Sequence, residues 1–437
     1  MLNVSKLQTR RLSSGLGLVV YPIRSTKFIE IALGIGVGTR YEPEHLAGIA
    51  HFVEHILFRG CEKFQTSFEL NRTFDSISDG LNAFTHKEYT VYQTRVFHDA
   101  LKPAIEAIAS VVGEPLFKDV DIERGIILEE LLEDLDEQGR QASLENIARK
   151  LTFGNHSLGR NVLGTKSSLK RIQLEDLKYF HSQFYQPNNM VLVLCGDIRI
   201  EKIATHIDRI FLDIFGRRTF RSSKPVFGED YVEVKHTKNR IEFITDPSAS
   251  QAEVLMTFRA PGERRPGVLE RMFLSRILDD GLSSRLQRKV SEQRGLVYNI
   301  STSIEAFTDV SLFDIEFTVS KKKLTTVISA IFEELQDLRR QKISEDEFNH
   351  VKRRFEHDVL ATSENARAMS QVLAEAFTLK LPFPVDPAEY IGQLQHLTRE
   401  KILREARRLF QANAFSLYIK GPRLTAKQKS DIQCLEL

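Results

Sequence analysis

The two halves of this 437-residue chain carry the same order of strand and helix patterns, and this repetition constrains the fold more than any other feature. The first half has a strand pattern at 28–38, a helix pattern at 46–58, a strand at 89–96 and helices at 100–112 and 122–138. The second half has a strand at 252–258, a helix at 268–278, a strand at 310–319 and helices at 324–338 and 345–361. The sequence therefore predicts a duplicated α+β protein of two homologous domains, each an antiparallel or mixed β-sheet covered by helices.

A polar and basic segment separates the two halves. Residues 216–231 place Gly and Pro among Arg, Ser and Lys side chains, a composition that favours a linker over a helix or strand. The predicted domains are therefore 1–215 and 232–437, each of ordinary size for a folded unit.

Charge and hydropathy narrow the range of partners. The chain has 61 Lys and Arg against 59 Asp and Glu, a formal net charge of +2, and the two signs are interleaved. A nucleic-acid-binding chain usually gathers its positive charge into one stripe or tail, so we expect no nucleic-acid partner. No apolar run approaches the roughly 20 residues of a membrane-spanning helix, so we expect no membrane-embedded segment.

The cysteines and the N-terminus bear on the compartment. Three cysteines are too few and too scattered for a disulfide framework or a Cys-rich zinc site, and in reduced form they fit a cytoplasmic protein. The first 29 residues are basic and lack acidic residues, as in a mitochondrial presequence. However, residues 16–23 (LGLVVYPI) read as a strand of the fold and leave little room for a transit peptide. We therefore expect a cytoplasmic location.

The sharpest local signal is the sequence His51-Phe-Val-Glu54-His55 within the first predicted helix. Residues four apart lie on one face of a helix, so both imidazoles can reach one metal ion. Glu54 stands beside them, where a carboxylate could act on a water molecule rather than on the metal. The alternative is a solvated polar face, but nearly all neighbouring side chains are apolar. Two imidazoles and a carboxylate in such a helix are costly unless they are paired or bind a metal.

An open catalytic zinc site needs a third protein ligand. The best source is the acidic helix pattern IERGIILEELLEDLDEQ, because no further His lies nearby in a suitable helical pattern. Glu123 and Glu130 are about two helical turns apart and so share a face with Ile127. The alternative is that Glu130 is simply a charged surface residue. This alternative is less favoured because a His pair in the same domain needs a carboxylate as third ligand.

Together, HFVEH and ERGIILEEL resemble the inverted zinc-binding motif of the pitrilysin/insulinase family of metallopeptidases. The closer resemblance is to the branch whose chains are about as long as this one, which includes mitochondrial processing peptidase and bacterial relatives. Further similar segments are LNAFT at 81–85, HSLGRNVLGT at 156–165, FYQPNNMVLVLCGD at 184–197, GLSSRL at 281–286 and EQRGLVY at 292–298.

This resemblance implies roles for individual residues of the first half. The zinc ligands would be His51, His55 and Glu130, with one Zn²⁺ per chain. Glu54 would be the general base, and Glu123 would be the acidic residue that orients and tunes the site.

The resemblance also implies where a substrate binds. Asn82, Ala83 and Phe84, followed by Thr85, are similar to the family's edge strand, to which an extended peptide adds as a further strand. The alternative is an ordinary strand of the sheet.

The second half has no counterpart of the metal motif, because RMFLSRIL at 271–278 stands where that helix would be. The resemblance implies that this half binds substrate through an Arg and a Tyr seven residues apart. Tyr298 occupies the Tyr position, but Ser291 stands where the Arg is expected. Arg288, Arg294 or a partner chain would then supply the Arg, or Tyr298 is simply a packed aromatic residue.

The sequence thus predicts a zinc-dependent endopeptidase that hydrolyses peptides or unfolded polypeptides. The resemblance implies half of a four-domain clamshell, so two chains would form a homodimer, or a heterodimer with a related chain, around a chamber. One alternative is a catalytic subunit of a heterodimeric processing peptidase that needs its partner. Another is a non-catalytic structural homologue, although such members tend to lose the metal residues that are present here.

Overall fold

The structure is a computed structural model that describes residues 7–24, 26–136, 139–216, 240–292, 295–297, 299–382, 385–411, 415–435 and 437. Residue 216 of the predicted linker 216–231 is among them, and the remainder of that segment lies outside the described residues. No helix in these ranges is both long enough and apolar enough to cross a bilayer.

The chain forms two compact units. Unit 1 comprises Met1–Ala142, Phe153–Glu229 and Leu360–Ala388, and unit 2 comprises Ser143–Thr152, Asp230–Val359 and Glu389–Leu437. Each unit therefore includes one segment from the other half of the chain. The units differ from the predicted domains 1–215 and 232–437 in these two segments, because each segment carries a helix that packs on the sheet of the other half.

Unit 1 is built on a mixed sheet. Its strands are β1 Gln8–Arg11, β2 Gly17–Pro22, β3 Phe28–Ile35, β4 Asn82–Thr85, β5 Thr90–Phe97 and β6 Met190–Gly196. They are ordered β1-β2-β6-β3-β5-β4. The pair β2–β6 is parallel, and the other neighbours are antiparallel. Strand β4 therefore lies at one edge of the sheet.

Among the described residues, which omit 217–239 directly before its first strand, unit 2 repeats the topology of β2 to β6. Its strands are β7 Arg240–Thr245, β8 Ala252–Pro261, β9 Ile300–Ala306, β10 Val310–Val319 and β11 Phe415–Gly421. They are ordered β7-β11-β8-β10-β9, and the pair β7–β11 is parallel, as is the corresponding pair β2–β6 of unit 1, while the other neighbours are antiparallel. The predicted fold class, two homologous α+β domains with mixed sheets, is confirmed.

The helices surround these sheets. They are α1 Ile49–Leu57, α2 Ser67–Ile77, α3 Leu101–Gly113, α4 Val120–Glu133, α5 Leu144–Phe153, α6 Lys166–Arg171, α7 Leu174–Phe184, α8 Ile200–Phe215, α9 Val268–Leu278, α10 Leu324–Arg340, α11 Glu345–Glu364, α12 Ala366–Leu379, α13 Pro387–Gln395, α14 Arg399–Leu409 and α15 Ala426–Gln433. The strand–helix orders β3-α1-α2-β4-β5-α3-α4 and β8-α9-β9-β10-α10-α11 correspond except at α2.

The predicted helix 122–138 is wrong at its C-terminal end, since α4 ends at Glu133. There the Asp134 N–H turns back to the Leu131 carbonyl, and Leu135 forms an isolated antiparallel bridge with Gln141. The turn therefore takes the place of a helix at residues 134–136, and residues 137 and 138 of the predicted helix lie outside the described residues.

Both faces of the unit 1 sheet are covered. One face packs against apolar side chains of α1, α3, α7 and α8. On the other face, α12 contributes Met369 and Leu373. A Cβ at Gly34 of β3 would meet the Thr378 hydroxyl and would lie 3.2 Å from the Ala374 carbonyl oxygen, so glycine lets α12 approach the sheet closely.

A buried carboxylate fixes the start of α1. Gly48 precedes the helix with φ of 95°, a left-handed conformation that glycine adopts without penalty. The Glu42 carboxylate accepts hydrogen bonds from Gly48 N–H at 2.9 Å and from Ala50 N–H at 2.8 Å. It thereby caps otherwise unpaired donors at the positive end of the helix dipole, while burial raises the pKa of this carboxyl group to about 7.

The segment 156–165 and the start of α6 hold the same end of α1. Gly164 has φ of 76°, and a Cβ there would collide with the Ala47 carbonyl oxygen. Ser168 Oγ donates to that carbonyl oxygen at 2.6 Å, and Arg160 Nη1 donates to the Glu42 carbonyl oxygen at 3.0 Å. The segment therefore acts as a support on which the beginning of α1 rests.

We expect Gly164→Ala to lower the free energy of unfolding by about 2–4 kcal/mol, because the side chain adds both left-handed strain and a clash with backbone. Gly125→Ala in α4 is the matched control, since a Cβ there meets nothing within 4 Å. The control should be neutral or stabilise by up to about 1 kcal/mol. Urea unfolding followed by circular dichroism measures both, and a Gly164→Ala protein as stable as the wild type would contradict this account of the support.

Candidate metal centre and active site

Helix α1 brings two imidazoles and a carboxylate into an apolar environment. Its apolar side chains lie in the main core of unit 1. His51 and Glu54 are each 8% exposed, so neither side chain is a solvated surface group. The alternative of a polar helix face in water is therefore excluded for these two residues.

Helix α4 packs against α1 and adds the third donor. Glu130 Oε2 lies 3.9 Å from His51 Nε2 and 3.7 Å from His55 Nε2. All three donor atoms lie within 4.8 Å of one another, and this is the one group of three or more His, Cys, Asp or Glu donors so arranged within the described residues. The distances exceed those of hydrogen bonds, about 2.7–3.2 Å, so the atoms converge without bonding to each other.

This donor set fits zinc. Bonds of about 2.0–2.2 Å in a tetrahedral site place ligand atoms roughly 3.3–3.5 Å apart. The distances from Glu130 to the two imidazole nitrogens, 3.7 and 3.9 Å, are slightly longer. Two imidazole nitrogens and one carboxylate oxygen are the donors of many catalytic zinc sites, which keep their fourth position open. His51, His55 and Glu130 are therefore the residues that could hold a metal ion.

A carboxylate on α4 orients His55. Glu123 Oε2 lies 3.0 Å from His55 Nδ1, while Arg59 Nε bonds to the other oxygen of Glu123. An N–H at Nδ1 donating to Glu123 leaves the lone pair at Nε2, on the side facing Glu130. Arg59 was not predicted from the sequence, although its position one helical turn after His55 is a signal that could have found it.

The neutral His51 and the charged Glu123 suit metal binding, whereas the surroundings of His55 favour its protonated form. Burial, together with the nearby His55, lowers the pKa of His51 to about 3, so its imidazole is neutral at physiological pH. Burial also acts to lower the pKa of His55, but the hydrogen bond with Glu123 and the charges of Glu54 and Glu130 raise it overall. For Glu123, burial is outweighed by the bonds from His55 and Arg59, which lower its pKa and keep the carboxylate charged.

Glu54 lies on the same helix but is held by a different element. Thr85 Oγ1, at the end of β4, donates a 2.5 Å hydrogen bond to Glu54 Oε2. Burial raises the pKa of Glu54, and the hydrogen bond from Thr85 opposes that shift. A buried carboxylate with a raised pKa can hold a proton that it takes from a neighbouring group. Sequence reasoning named Thr85 only as part of the edge strand.

The segment predicted to be an edge strand forms β4, which lies at the edge of the unit 1 sheet. Asn82, Ala83 and Phe84 lie on β4, and the only neighbour of β4 in the described sheet is β5. Phe84 is 50% exposed, whereas Ala83 packs against the core that contains α1. The unpaired side of β4 therefore lies next to the Glu54 carboxylate, to which Thr85 is hydrogen-bonded. Peptide binding at this edge stays a prediction.

The structure does not place the predicted substrate residue of the second half, because Tyr298 lies outside the described residues, as does Arg294. Ser291 Oγ donates to the Val297 carbonyl oxygen at 3.2 Å, so this side chain has a local structural contact. Arg288 is exposed.

Two family models match the chain. The insulinase model (peptidase family M16) matches residues 18–166, and the model described as the peptidase M16 inactive domain matches residues 171–355. Together they cover more than half of the sequence. The chain belongs to the insulinase family of peptidases, M16, and the predicted family is confirmed.

Curated relatives carry matching descriptions. An uncharacterized zinc protease of Mycobacterium leprae is 28% identical over 343 residues, which is 77% of this chain and 74% of that protein. Uncharacterized zinc proteases of Mycobacterium bovis and Bacillus subtilis are 26% identical over 414 residues (94% of this chain and 92% of that protein) and 25% identical over 402 residues (91% and 94%). At the level of the family, the relatives are named as zinc-dependent peptidases.

Solved structures share the fold. The crystal structure of a protease from Helicobacter pylori has a TM-score of 0.84 at 21% identity, and the match covers 96% of this chain and 100% of that one. The periplasmic protease PqqL from Escherichia coli has a TM-score of 0.76 at 20% identity, over 98% of this chain and 50% of that one. The two-unit fold is therefore one that solved structures of similar proteins adopt.

We expect Glu123→Gln to weaken zinc binding about 10- to 100-fold, because the variant loses the charge that fixes the His55 tautomer. Asp121→Asn is the matched control, since Asp121 lies on the same helix with a side chain 96% exposed. Competition with a zinc-binding dye measures both affinities. Equal affinity for Glu123→Gln and wild type would show that Glu123 does not orient the site.

Proposed function

We propose that this chain is a zinc-dependent endopeptidase in which His51, His55 and Glu130 hold the metal. The single observation that carries the proposal is the convergence of these three donor atoms within 4.8 Å beside Glu54. The family match and the names of the relatives support the same chemistry.

The residues divide the chemistry of peptide hydrolysis between them. When bound, zinc supplies Lewis acidity, which polarises a peptide carbonyl and makes nearby water more acidic. Glu54 is the general base: it takes a proton from water as the water oxygen bonds to the carbonyl carbon. The same carboxyl group then gives that proton to the leaving amine as the C–N bond breaks. Glu123 keeps His55 in the tautomer that presents Nε2 to the metal.

The substrate class proposed is an extended peptide or an unfolded polypeptide. The open edge of β4 offers main-chain donors and acceptors that do not depend on substrate sequence, so Asn82, Ala83 and Phe84 would bind by strand addition. A folded domain seldom exposes a free strand of this kind, so flexible segments are favoured. Tyr298 is retained as a proposed substrate contact of the second half.

A dimer that encloses the sites is proposed as the working form. The chain matches the whole of one solved protease but half of the longer PqqL chain, so two copies would supply the length of the longer protein. Enclosure of this kind would select substrates by size and flexibility. A cytoplasmic location is proposed with it.

A second candidate is a catalytic subunit that needs a different partner chain. The observation that favours it is Ser291, which stands where the family pattern has a substrate-binding Arg. Such a subunit would bind zinc alone but would cleave peptides only after its partner is added. A non-catalytic role is disfavoured because the metal donors and Glu54 are all present.

We expect Glu54→Gln to reduce peptide cleavage by a factor of about 10²–10⁴ or more, because the variant lacks the proton acceptor. Its zinc content should equal that of the wild type. Glu62→Gln, an exposed residue shortly after α1, is the control and should keep full activity. The assay is digestion of a mixed peptide library read by mass spectrometry, with and without a chelator. Cleavage that persists in Glu54→Gln, or that a chelator does not affect, would refute the mechanism.

We expect the purified protein to be a dimer at micromolar concentration. Light scattering coupled to size-exclusion chromatography should then report about twice the mass of one chain. A strict monomer that nevertheless cleaves peptides would contradict the proposed enclosure, and an inactive monomer would favour the subunit that needs a different partner.

A further inference from the structure

The hairpin at the end of β4 determines which main-chain groups face the open edge. His86 N–H donates to the Tyr89 carbonyl oxygen at 2.8 Å, and the next pair along the ladder is Thr85 with Thr90. Antiparallel pairs alternate between hydrogen-bonded and non-hydrogen-bonded positions. Thr85 and Ala83 therefore direct their N–H and C=O groups away from β5, toward the side on which a peptide would add.

Glu54 already occupies one of these outward positions. Thr85 Oγ1 donates to Glu54 Oε2, and the Thr85 backbone N–H faces the same carboxylate. The Glu54 carboxylate is thus joined to the edge strand at Thr85, and Ala83 is the outward-facing position that stays open for substrate. A peptide paired with Ala83 would run up to Glu54 with no further outward-facing strand position between them.

We propose that Thr85 is a positioning residue that fixes Glu54 to the edge of β4, so that the general base and the substrate-binding strand form one rigid element. This inference rests on the proposed peptidase function. Glu54 sits on a helix built around the metal donors, whereas substrate would sit on a strand. The Thr85 hydroxyl is the link that holds the base in register with the bound peptide.

The link also distinguishes the two oxygens of Glu54. Oε2 accepts a hydrogen bond from the Thr85 hydroxyl, so we assign to Oε1 the exchange of a proton with water and the leaving amine. A hydroxyl can keep donating to Oε2 whether Glu54 is charged or protonated, because a carboxylic acid retains acceptor capacity on its carbonyl oxygen. Thr85 therefore holds the side chain in place throughout the proton transfer.

Three threonine variants test this role. Thr85→Val removes the hydroxyl at constant shape, and kcat should fall roughly 10- to 100-fold, as for the loss of a hydrogen bond to a charged group. KM should change by less than about threefold, because the main-chain edge that binds substrate is retained. Thr85→Ser restores the hydroxyl and should recover kcat. Thr94→Val, in β5, removes a hydroxyl that donates to the Gly80 carbonyl oxygen at 2.7 Å, and it should leave kcat unchanged.

A readout that does not depend on activity accompanies the kinetics. Crystal structures of the zinc-loaded variants should show Glu54 in one position in the wild type and Thr85→Ser, and displaced or in several positions in Thr85→Val. Zinc content should be the same in all. The proposal is overturned if Glu54 keeps its place in Thr85→Val, if Thr85→Ser is as slow as Thr85→Val, or if Thr94→Val loses as much kcat as Thr85→Val.

The two proposals fail in distinguishable ways. If the wild-type protein binds zinc but cleaves no peptide, the proposed function is wrong, and the position of Glu54 in the Thr85→Val structure still decides whether Thr85 holds it. If the wild type cleaves peptides and Thr85→Val keeps both its kcat and its Glu54 position, only the role of Thr85 is wrong.

Discussion

The burial of polar groups on α1 is the constraint on which the site depends. His51 and Glu54 lie on a helix whose other side chains fill the core, so each needs a partner or a metal. Two elements bring polar side chains to this helix. Glu130 and Glu123 come from α4, and Thr85 comes from β4. Both α4 and β4 thus bring groups that an apolar helix would not require.

The second unit has the same topology, but its equivalent of α1 lacks the metal-binding histidines. Helix α9 occupies the place of α1 and also begins after a left-handed glycine, Gly267 with φ of 103°. Its buried polar residue is Arg271, which pairs with Glu405 at 3.0 Å. A closed ion pair satisfies both charges, whereas three converging donors on α1 and α4 do not satisfy one another. The topology is therefore common to both units, and the chemistry belongs to a few residues placed on one of them.

Helical spacing predicted the part of the site that is local in sequence. The four-residue step between His51 and His55 and the seven-residue step between Glu123 and Glu130 each defined one helix face, and the structure brings these two faces together. The repeated pattern likewise predicted both sheets.

The remaining features depend on contacts between distant segments, which no local pattern reports. The sequence did not indicate that Glu42 caps α1, that Gly164 supports Ala47, or that Thr85 holds Glu54. It also did not indicate that α12 packs on the sheet of unit 1, because an amphipathic helix pattern does not identify its partner. The end of α4 at Glu133 was missed because an acidic run is compatible with both helix and turn.

The most direct test of this account is the metal content of carefully purified protein, measured by elemental mass spectrometry. The account predicts one zinc per chain in the wild type, and the same in Glu129→Gln, which changes an exposed carboxylate beside Glu130. Glu130→Gln should lose most of its zinc, because it removes one of three protein ligands. Wild-type protein that contains no stoichiometric metal and takes up none when zinc is added would contradict the central claim.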